Sequence, residues 1–429
     1  MKSGNIIAGL DLGTTKVVAL IASVEPETHI INILGIGTAP SEGLKKGVVV
    51  NIDKTVKSIQ IAVEQAELQS GVSMQEAVVG IAGDHIQSFA TRSIISIPHS
   101  SREIGKTDVL RITEDAKNIK LQADRKILHI LPQDYIIDGQ DGVTDPVGMS
   151  GVRMEANIHV ITALQTAMQN VYKCVERAGV QVKGVVLEPL ASSSAVLDDD
   201  EREVGVALID IGGGTTDIAI FHENVIRHTA IIPVAGNQVT EDIAIGLGIL
   251  NNTAEKIKKE YGHATVESIL HDECFMIPGI SGRSPLEIEK NLLARIIGPR
   301  MEEIFESCFE ELRKSGYINR LPAGIVLTGG SALLRGSEDL AMRIFGMPVK
   351  LGLPSGHSYR GLAQEIENPI YSTAVGLVLH SLSMDEDNNS HSYDTIQEEP
   401  TKQQILENDS TSSPKKSMLK SLIKFFDEL

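Results

Sequence analysis

The 429-residue chain contains no tryptophan, and all its aromatic residues together make up 3% of it. Single-stranded nucleic acids are held by stacking bases on aromatic rings, and too few rings exist here for that. Positive charge is also short: 39 lysines and arginines face 57 aspartates and glutamates, a net −18. A phosphate backbone would meet repulsion over most of such a surface, so nucleic acid is excluded as a partner. Cysteine is scarce as well. Cys174, Cys274 and Cys308 lie far apart and form no CxxC pair. Neither a disulfide framework nor a zinc-ligand spacing results, and reduced cytosolic thiols are the expectation. No run of 18 apolar residues occurs, so no segment is long enough to span a bilayer. Met1-Lys2-Ser3-Gly4-Asn5 runs straight into an apolar strand, without the apolar core and cleavage site of a signal peptide.

The length allows two or more domains, and the 42% hydrophobic content is ordinary for a globular protein. Two stretches say nearly the same thing. One is Ile6-Ile7-Ala8-Gly9-Leu10-Asp11-Leu12-Gly13-Thr14-Thr15-Lys16-Val17-Val18-Ala19. The other is Ala207-Leu208-Ile209-Asp210-Ile211-Gly212-Gly213-Gly214-Thr215-Thr216-Asp217-Ile218-Ala219-Ile220. Each is an apolar strand, an aspartate, a glycine–threonine turn and a second strand. Either could be an ordinary hairpin with an Asp/Gly turn. Two copies, plus a Gly329-Gly330-Ser331 turn after the strand Ile325–Thr328, point to a duplicated fold holding a nucleotide between its halves. Glycine permits the tight turn and close approach, and free backbone N–H groups can meet phosphate oxygens. Thr14, Thr15, Thr215 and Thr216 add hydroxyl donors. Asp11 and Asp210 would repel phosphate directly, so they are expected to hold Mg²⁺ through its waters. Lys16 is positioned for a β or γ phosphate. No GxxxxGK[ST] sequence occurs, so this is not a P-loop.

Along the chain, strands are predicted near Ile6–Leu10, Val17–Ile21, Ile30–Gly35 and Val78–Ala82. A helix over 53–70 is stopped by Gly71. This alternation is an α/β pattern. Residues 84–158 read as an insert with one helix (108–121) and short β-rich runs at Ser93–Ile97 and Ile127–Leu131. The α/β pattern is read as returning at Ile158–Thr162, followed by a helix from Ala167 and a strand at Gly184–Leu187. Glu188-Pro189-Leu190-Ala191 opens another helix. Helices are predicted at 236–246, 253–261 and 286–314, the last with a possible break at Gly298-Pro299. A final helix starts near Tyr371. From Met384 to Pro414 eight acids accompany one lysine, a composition that buries too little apolar surface to fold. As a flexible coil this linker has a root-mean-square span of roughly 30 Å.

These pieces resemble, in order, the motifs of the actin, Hsp70 and sugar-kinase superfamily. The first hairpin corresponds to phosphate-1, Glu188–Ala191 to connect-1, and Asp210–Asp217 to phosphate-2. Leu327–Ser331 corresponds to the adenosine motif and Thr373-Ala374-Val375-Gly376 to connect-2. Within that superfamily the chain is similar to the bacterial cell-division FtsA family, in Gly9–Lys16, Asp145–Met154, Asp210–Asp217, Ala323–Gly330 and Tyr371–Gly376. The resemblance implies a duplicated, actin-like (ribonuclease-H-like) two-lobed α/β fold. Residues 1–83 and 159–199 would form the first lobe and 84–158 an inserted α+β subdomain. The second lobe would be 200–383, its smaller subdomain within 255–320. A disordered linker (384–414) and an amphipathic helix (415–429) would follow. ATP and Mg²⁺ are the implied cofactors. Gly13, Gly212, Gly213, Gly214, Gly329, Gly330 and Ser331 join the threonines and Lys16 in binding nucleotide. Glu255 and Lys258 match an adenine-contact helix, or else form a routine surface ion pair. Glu188 stands where relatives place an acid that helps position water, making it catalytic with Asp11 and Asp210, or else it is a helix-start carboxylate on the macrodipole. Any ATPase activity is expected to be slow.

The last fifteen residues, Lys415–Leu429, carry their own signal. On a helix, Met418, Leu419, Leu422, Ile423, Phe425, Phe426 and Leu429 fall within an arc of roughly 160°. Lys416, Lys420, Lys424, Asp427 and Glu428 fill the other side. That pattern fits an interfacial helix on anionic lipid, or a helix docked on the protein's own core. Burying seven large apolar side chains gains at most ~10–15 kcal/mol gross, ordering the segment offsets much of it, and each lysine near the surface adds about 1 kcal/mol. One copy should bind reversibly and a polymer firmly. The family likeness implies a filament-forming adaptor at the cytoplasmic face of the membrane, peripheral and at the division septum. It would tether the FtsZ ring and recruit later divisome proteins, the insert serving self-assembly and recruitment. Arg295 and Arg300 are candidates for the acidic FtsZ tail peptide, or are plain solvated arginines. An MreB-like shape filament and a small-molecule kinase are the rival readings.

Overall fold

The computed structural model describes residues 5–25, 28, 30–98, 103–277, 284–354 and 359–394. Asn5–Leu12, Lys16–Val24 and Ile31–Pro40 form an antiparallel meander. Glu76–Ile81 pairs parallel with the first of these strands, and Gln181–Leu187 pairs parallel outside it. Tyr359–Gly361 adds the far edge. Val17 to Ala22 are all buried, as expected of a strand covered on both faces. The helix Ile52–Ser70 starts where Asn51 accepts a hydrogen bond from Lys54 N (3.0 Å), and ends at Gly71, left-handed at φ 71°. It buries Val56, Ile59, Ala62, Val63 and Ala66.

The second sheet repeats the first. Val206–Ile211, Thr216–His222 and Val225–Ile232 form the antiparallel meander. Ile325–Thr328 and Val349–Leu351 add the parallel strands on its other side. The duplication read from the two hairpins is thus a duplication of strand order. Behind this sheet the helix Lys290–Lys314 runs unbroken through Pro299. Proline removes one backbone bond. The buried face made by Leu293, Ile297, Met301, Ile304, Phe305 and Cys308 keeps the helix continuous across that gap. Leu286–Glu289 is not helical: it pairs with Cys274–Ile277.

The insert is a four-stranded antiparallel sheet covered by the helix Lys106–Asp115 and a 3₁₀ turn at Ala116–Asn118. Its boundary corrects the sequence reading. Ile158–Thr162 belongs to the strand Arg153–Leu164, which sits between Gln87–Ser96 and Arg125–Ile137. A central strand buried on both faces reads like a strand of a parallel sheet, and its sequence does not say which sheet it joins. The first lobe therefore resumes with the helix Gln165–Arg177.

The last described helix, Ser372–Asp394, continues through 384–394, residues expected to be linker. Met1–Ser383 forms one compact unit. The remaining linker (395–414) and the predicted lipid-binding helix, with Met418, Leu419, Lys420, Leu422, Ile423, Lys424, Phe425 and Phe426, lie outside the described residues. No described helix is long and apolar enough to cross a membrane.

Candidate nucleotide site

The two hairpin tips meet head to head. A Cβ at Gly213 would lie 2.1 Å from Thr15 Cγ2, and one at Gly214 would lie 2.5 Å from Thr14 Oγ1. Glycine on one tip makes room for threonine on the other. The glycine loop is tied to its own lobe, since Ser331 Oγ donates to Gly212 O (2.8 Å) and Asn237 N to Gly213 O (2.8 Å). Thr14 Oγ1 accepts from Gly47 N (3.0 Å). Gly329 has φ +86°, and a Cβ there would press on Asp210 Oδ1 at 2.3 Å, so only glycine allows the turn to lie over that carboxylate. Beneath the tips is a cavity of about 550 Å³, lined by Asp11, Gly13–Lys16, Glu188, Asp210, Gly212–Thr215, Glu255, Lys258 and Gly329–Ser331. The structure thus brings together every nucleotide residue read from the sequence except Thr216. That residue is fully buried and donates to Val234 O (2.8 Å). Strand alternation turns it into the lobe.

The cavity is crowded with acid around Asp11 and Asp210. Asp210 and Asp217 stand directly opposite in their hairpin, an arrangement that repels. Burial pushes Asp11 up to about 6, Lys16 pulling it down and Asp210 pushing it further up. Burial also pushes Asp210 up to about 6 against the hydrogen bonds of Ser192 and Thr373. Glu188 and Asp217 are raised well above the ordinary carboxylate range, chiefly by burial and then by the other acids. Asp217 Oδ1 is buried with no hydrogen-bond partner. The Lys16 ammonium donates to Ile370 O and lies 5.0 Å from the centre of the Tyr371 ring. Hard oxygens in excess of nearby cations suit a divalent cation. Among the described residues no group of three or more His, Cys, Asp or Glu side chains is placed to hold a metal ion directly.

Elsewhere in the lining, Lys258 pairs with Glu255 (2.7 Å) and donates to Gly236 O and Thr240 Oγ1 (both 2.9 Å). The pair is buttressed inside the cavity wall and is not a loose surface contact. Asp217, Asn237, Met301 and Ile370 also line the cavity and are absent from the sequence-derived set. Asp217 had a signal: it is an acid set in the apolar strand after the second tip, standing opposite Asp210 where the first hairpin has Val18 opposite Asp11. Away from the cavity, Arg300 is engaged by Asp242 (2.7 Å) and Glu303, whereas Arg295 is exposed.

Two sheets of one strand order, facing each other across interlocked glycine and threonine tips, define an actin-like protein. Solved structures agree. A chain of the PilM-PilN type IV pilus biogenesis complex superposes with a TM-score of 0.63 at 16% identity, covering 87% of this chain and 98% of that one. MreB5 of Spiroplasma citri bound to ADP gives 0.51 at 16%, covering 91% and 98%. At such identities the likeness is one of fold. Sequence gives the family. Residues 207–376 match the family model for cell division protein FtsA, and residues 83–162 match the SHS2 domain inserted in FtsA. Cell division protein FtsA of Pseudomonas aeruginosa is 48% identical over 91% of this chain and 93% of its own length. Those of Neisseria meningitidis and Escherichia coli K12 are 44% and 40% identical, each over 87% of this chain and 89% of their own. The chain belongs to the FtsA family of cell division proteins, which sets aside the kinase and MreB readings.

Proposed function

We propose that the protein binds Mg·ATP between its lobes and assembles into a polymer beneath the cytoplasmic membrane. There its tail would hold anionic lipid, and its surface would tether FtsZ and recruit later divisome proteins at the septum. The observation that carries the nucleotide half of this reading is the pair of interlocked tips over an acid-rich cavity. Gly13, Gly213 and Gly214 present backbone donors to the phosphates, the Gly212 N–H being held by Thr215 O at 3.0 Å. Lys16 exchanges Ile370 O for a phosphate oxygen. Glu255 and Lys258 hold the nucleoside end. When bound, Mg²⁺ neutralises charge between phosphate and carboxylates. Asp11 and Asp210 would hold its waters. Glu188 faces the same end and orients water there. Burial and the neighbouring acids hold that carboxyl well above the usual carboxylate range. The insert serves self-assembly and recruitment.

The membrane half rests on the apolar and lysine faces of residues 415–429. Deleting them should release the protein from anionic vesicles while Mg·ATP affinity stays unchanged; pelleting of the shortened chain with the vesicles would remove the anchor. For the FtsZ tail, Arg295 is the freer of the two arginines. Arg295→Glu should weaken binding of an acidic FtsZ tail peptide about five- to tenfold, as expected for losing one charge-assisted contact of about 1–1.5 kcal/mol. Arg300→Glu should in addition lower stability, because Asp242 would face a like charge. Equal peptide affinity for wild type and Arg295→Glu, read by fluorescence anisotropy, would take Arg295 out of the site.

A further inference from the structure

Glu188 opens the helix Glu188–Val196 directly after the edge strand Gln181–Leu187. Its place is set by the strand-to-helix turn at Leu187, where no side chain caps the helix. Leu187 is fully buried, so its backbone N–H needs a protein acceptor. That acceptor comes from the inserted subdomain: Leu187 N donates to His129 Nε2 at 3.0 Å. The imidazole therefore fixes the peptide plane one residue before Glu188. Gly80 leaves the space beside it, since a Cβ there would lie 3.1 Å from Glu188 Cγ.

The strand carrying His129 is built irregularly at this point. His129 pairs with Ile161 and Ile127 with Thr162, so Leu128 is an extra residue. Such bulges re-aim the neighbouring side chain. Four residues on, Gln133 Nε2 donates to Ile226 O (2.7 Å) and Arg227 O (3.1 Å) on the edge strand of the second lobe. One strand of the insert is thus bonded both to the turn before Glu188 and to the opposite lobe. Burial, with His380 nearby, pushes His129 down to about 4, which keeps the ring neutral and able to accept.

We infer that His129 is a positioning residue for Glu188, through which the inserted subdomain sets the acid at the phosphate end of the nucleotide site. The inference rests on Glu188 acting on the terminal phosphate, as proposed above. Two substitutions separate acceptor geometry from general packing. Glutamine places its amide oxygen near the position of Nε2, whereas asparagine reaches only as far as Nδ1. The readouts are ATP turnover and the ratio of Mg·ATP to Mg·ADP affinity, measured on the full chain.

His129→Asn should lower turnover, and shift the affinity ratio, by about tenfold, less than the hundredfold that a displacement of about 1 Å can cost. His129→Gln should restore most of both. In a Glu188→Gln background, His129→Asn should have no further effect, because coupled residues are non-additive. If Glu188→Gln by itself changes neither readout, the role given to Glu188 fails. If Glu188→Gln changes them but His129→Asn is silent, or is additive with Glu188→Gln, or is not rescued by glutamine, the positioning role is overturned.

Discussion

Asp210→Asn is expected to make the nucleotide-free protein more stable and Mg·ATP binding much weaker. The two effects share one cause. A carboxyl raised by burial to about 6 from 3.8 disfavours the folded state when ionised. By linkage that is worth about 3 kcal/mol at pH 7.5 as an upper figure. The sign follows from the raised value: the penalty is absent below about pH 4, grows as pH rises through about 6, and is complete above it. Asparagine keeps the shape and removes the charge, so denaturant midpoints should rise by the equivalent of about 1–3 kcal/mol. If Asp210 holds magnesium's waters as proposed, the same change would also delete those charge-assisted hydrogen bonds. Two such bonds at about 1.5 kcal/mol each correspond to roughly a 100-fold loss of affinity. In the unaltered protein, lowering the pH from 7.5 to 5.5 should therefore raise apo stability and weaken Mg·ATP binding, with Asp11, also near 6, adding to both trends. Asp210→Asn should flatten each curve. Parallel rather than opposed trends, by denaturation and by nucleotide titration, would remove the cation from this reading.

Gly376→Val should cost about 4 kcal/mol of stability, in the upper range for overpacking a core. A Cβ at Gly376 would sit 1.8 Å from Ala191 O, and that oxygen belongs to backbone, not to a side chain that can swing away. The helices Ser372–Asp394 and Glu188–Val196 would have to separate. On the opposite face, a Cβ at Gly9 would lie 2.8 Å from Ala374 O, so the helix cannot retreat into the first sheet. Thr373 Oγ1, three residues before Gly376, donates to Asp210 Oδ2 (3.3 Å), so forcing the helix outward also loosens the phosphate end. Urea denaturation and Mg·ATP titration should both report the loss. Gly139→Ala in an open turn, with nothing within 4 Å, should cost only the strain of a left-handed residue, about 1 kcal/mol. Equal costs for the two substitutions would rule out the contact as the cause.

The cleft was legible because its chemistry is local. Glycine, threonine and aspartate between apolar strands specify a hairpin tip whatever surrounds it, and the tip occurs twice. The helix Ile52–Ser70 announced itself by spacing and by Gly71. What the sequence withheld was pairing. Ile158–Thr162 gives no sign that its neighbours are Phe89 and His129 rather than a strand of the first lobe. Gly298-Pro299 allows a break within the helical run, and the packed face of the helix is what carries it through. The carbonyl of Ile370, which Lys16 holds, is backbone and leaves no trace in residue types. Arg300 looked free because Asp242, its partner, lies 58 positions away. His129 had no motif at all, since its role depends on a bulge and on a backbone N–H from another element.

The meeting of the tips also limits how the two halves could have evolved. Threonine at 14 and 15 fits only because glycine stands at 214 and 213. A chain with the threonine tip in both halves would jam before the lobes met, and one with glycine in both would leave a slot open to solvent. Ancestral copies of a single half would have closed poorly as an identical pair. Divergence at these four positions made them lock and key, and neither half can now be replaced by the other.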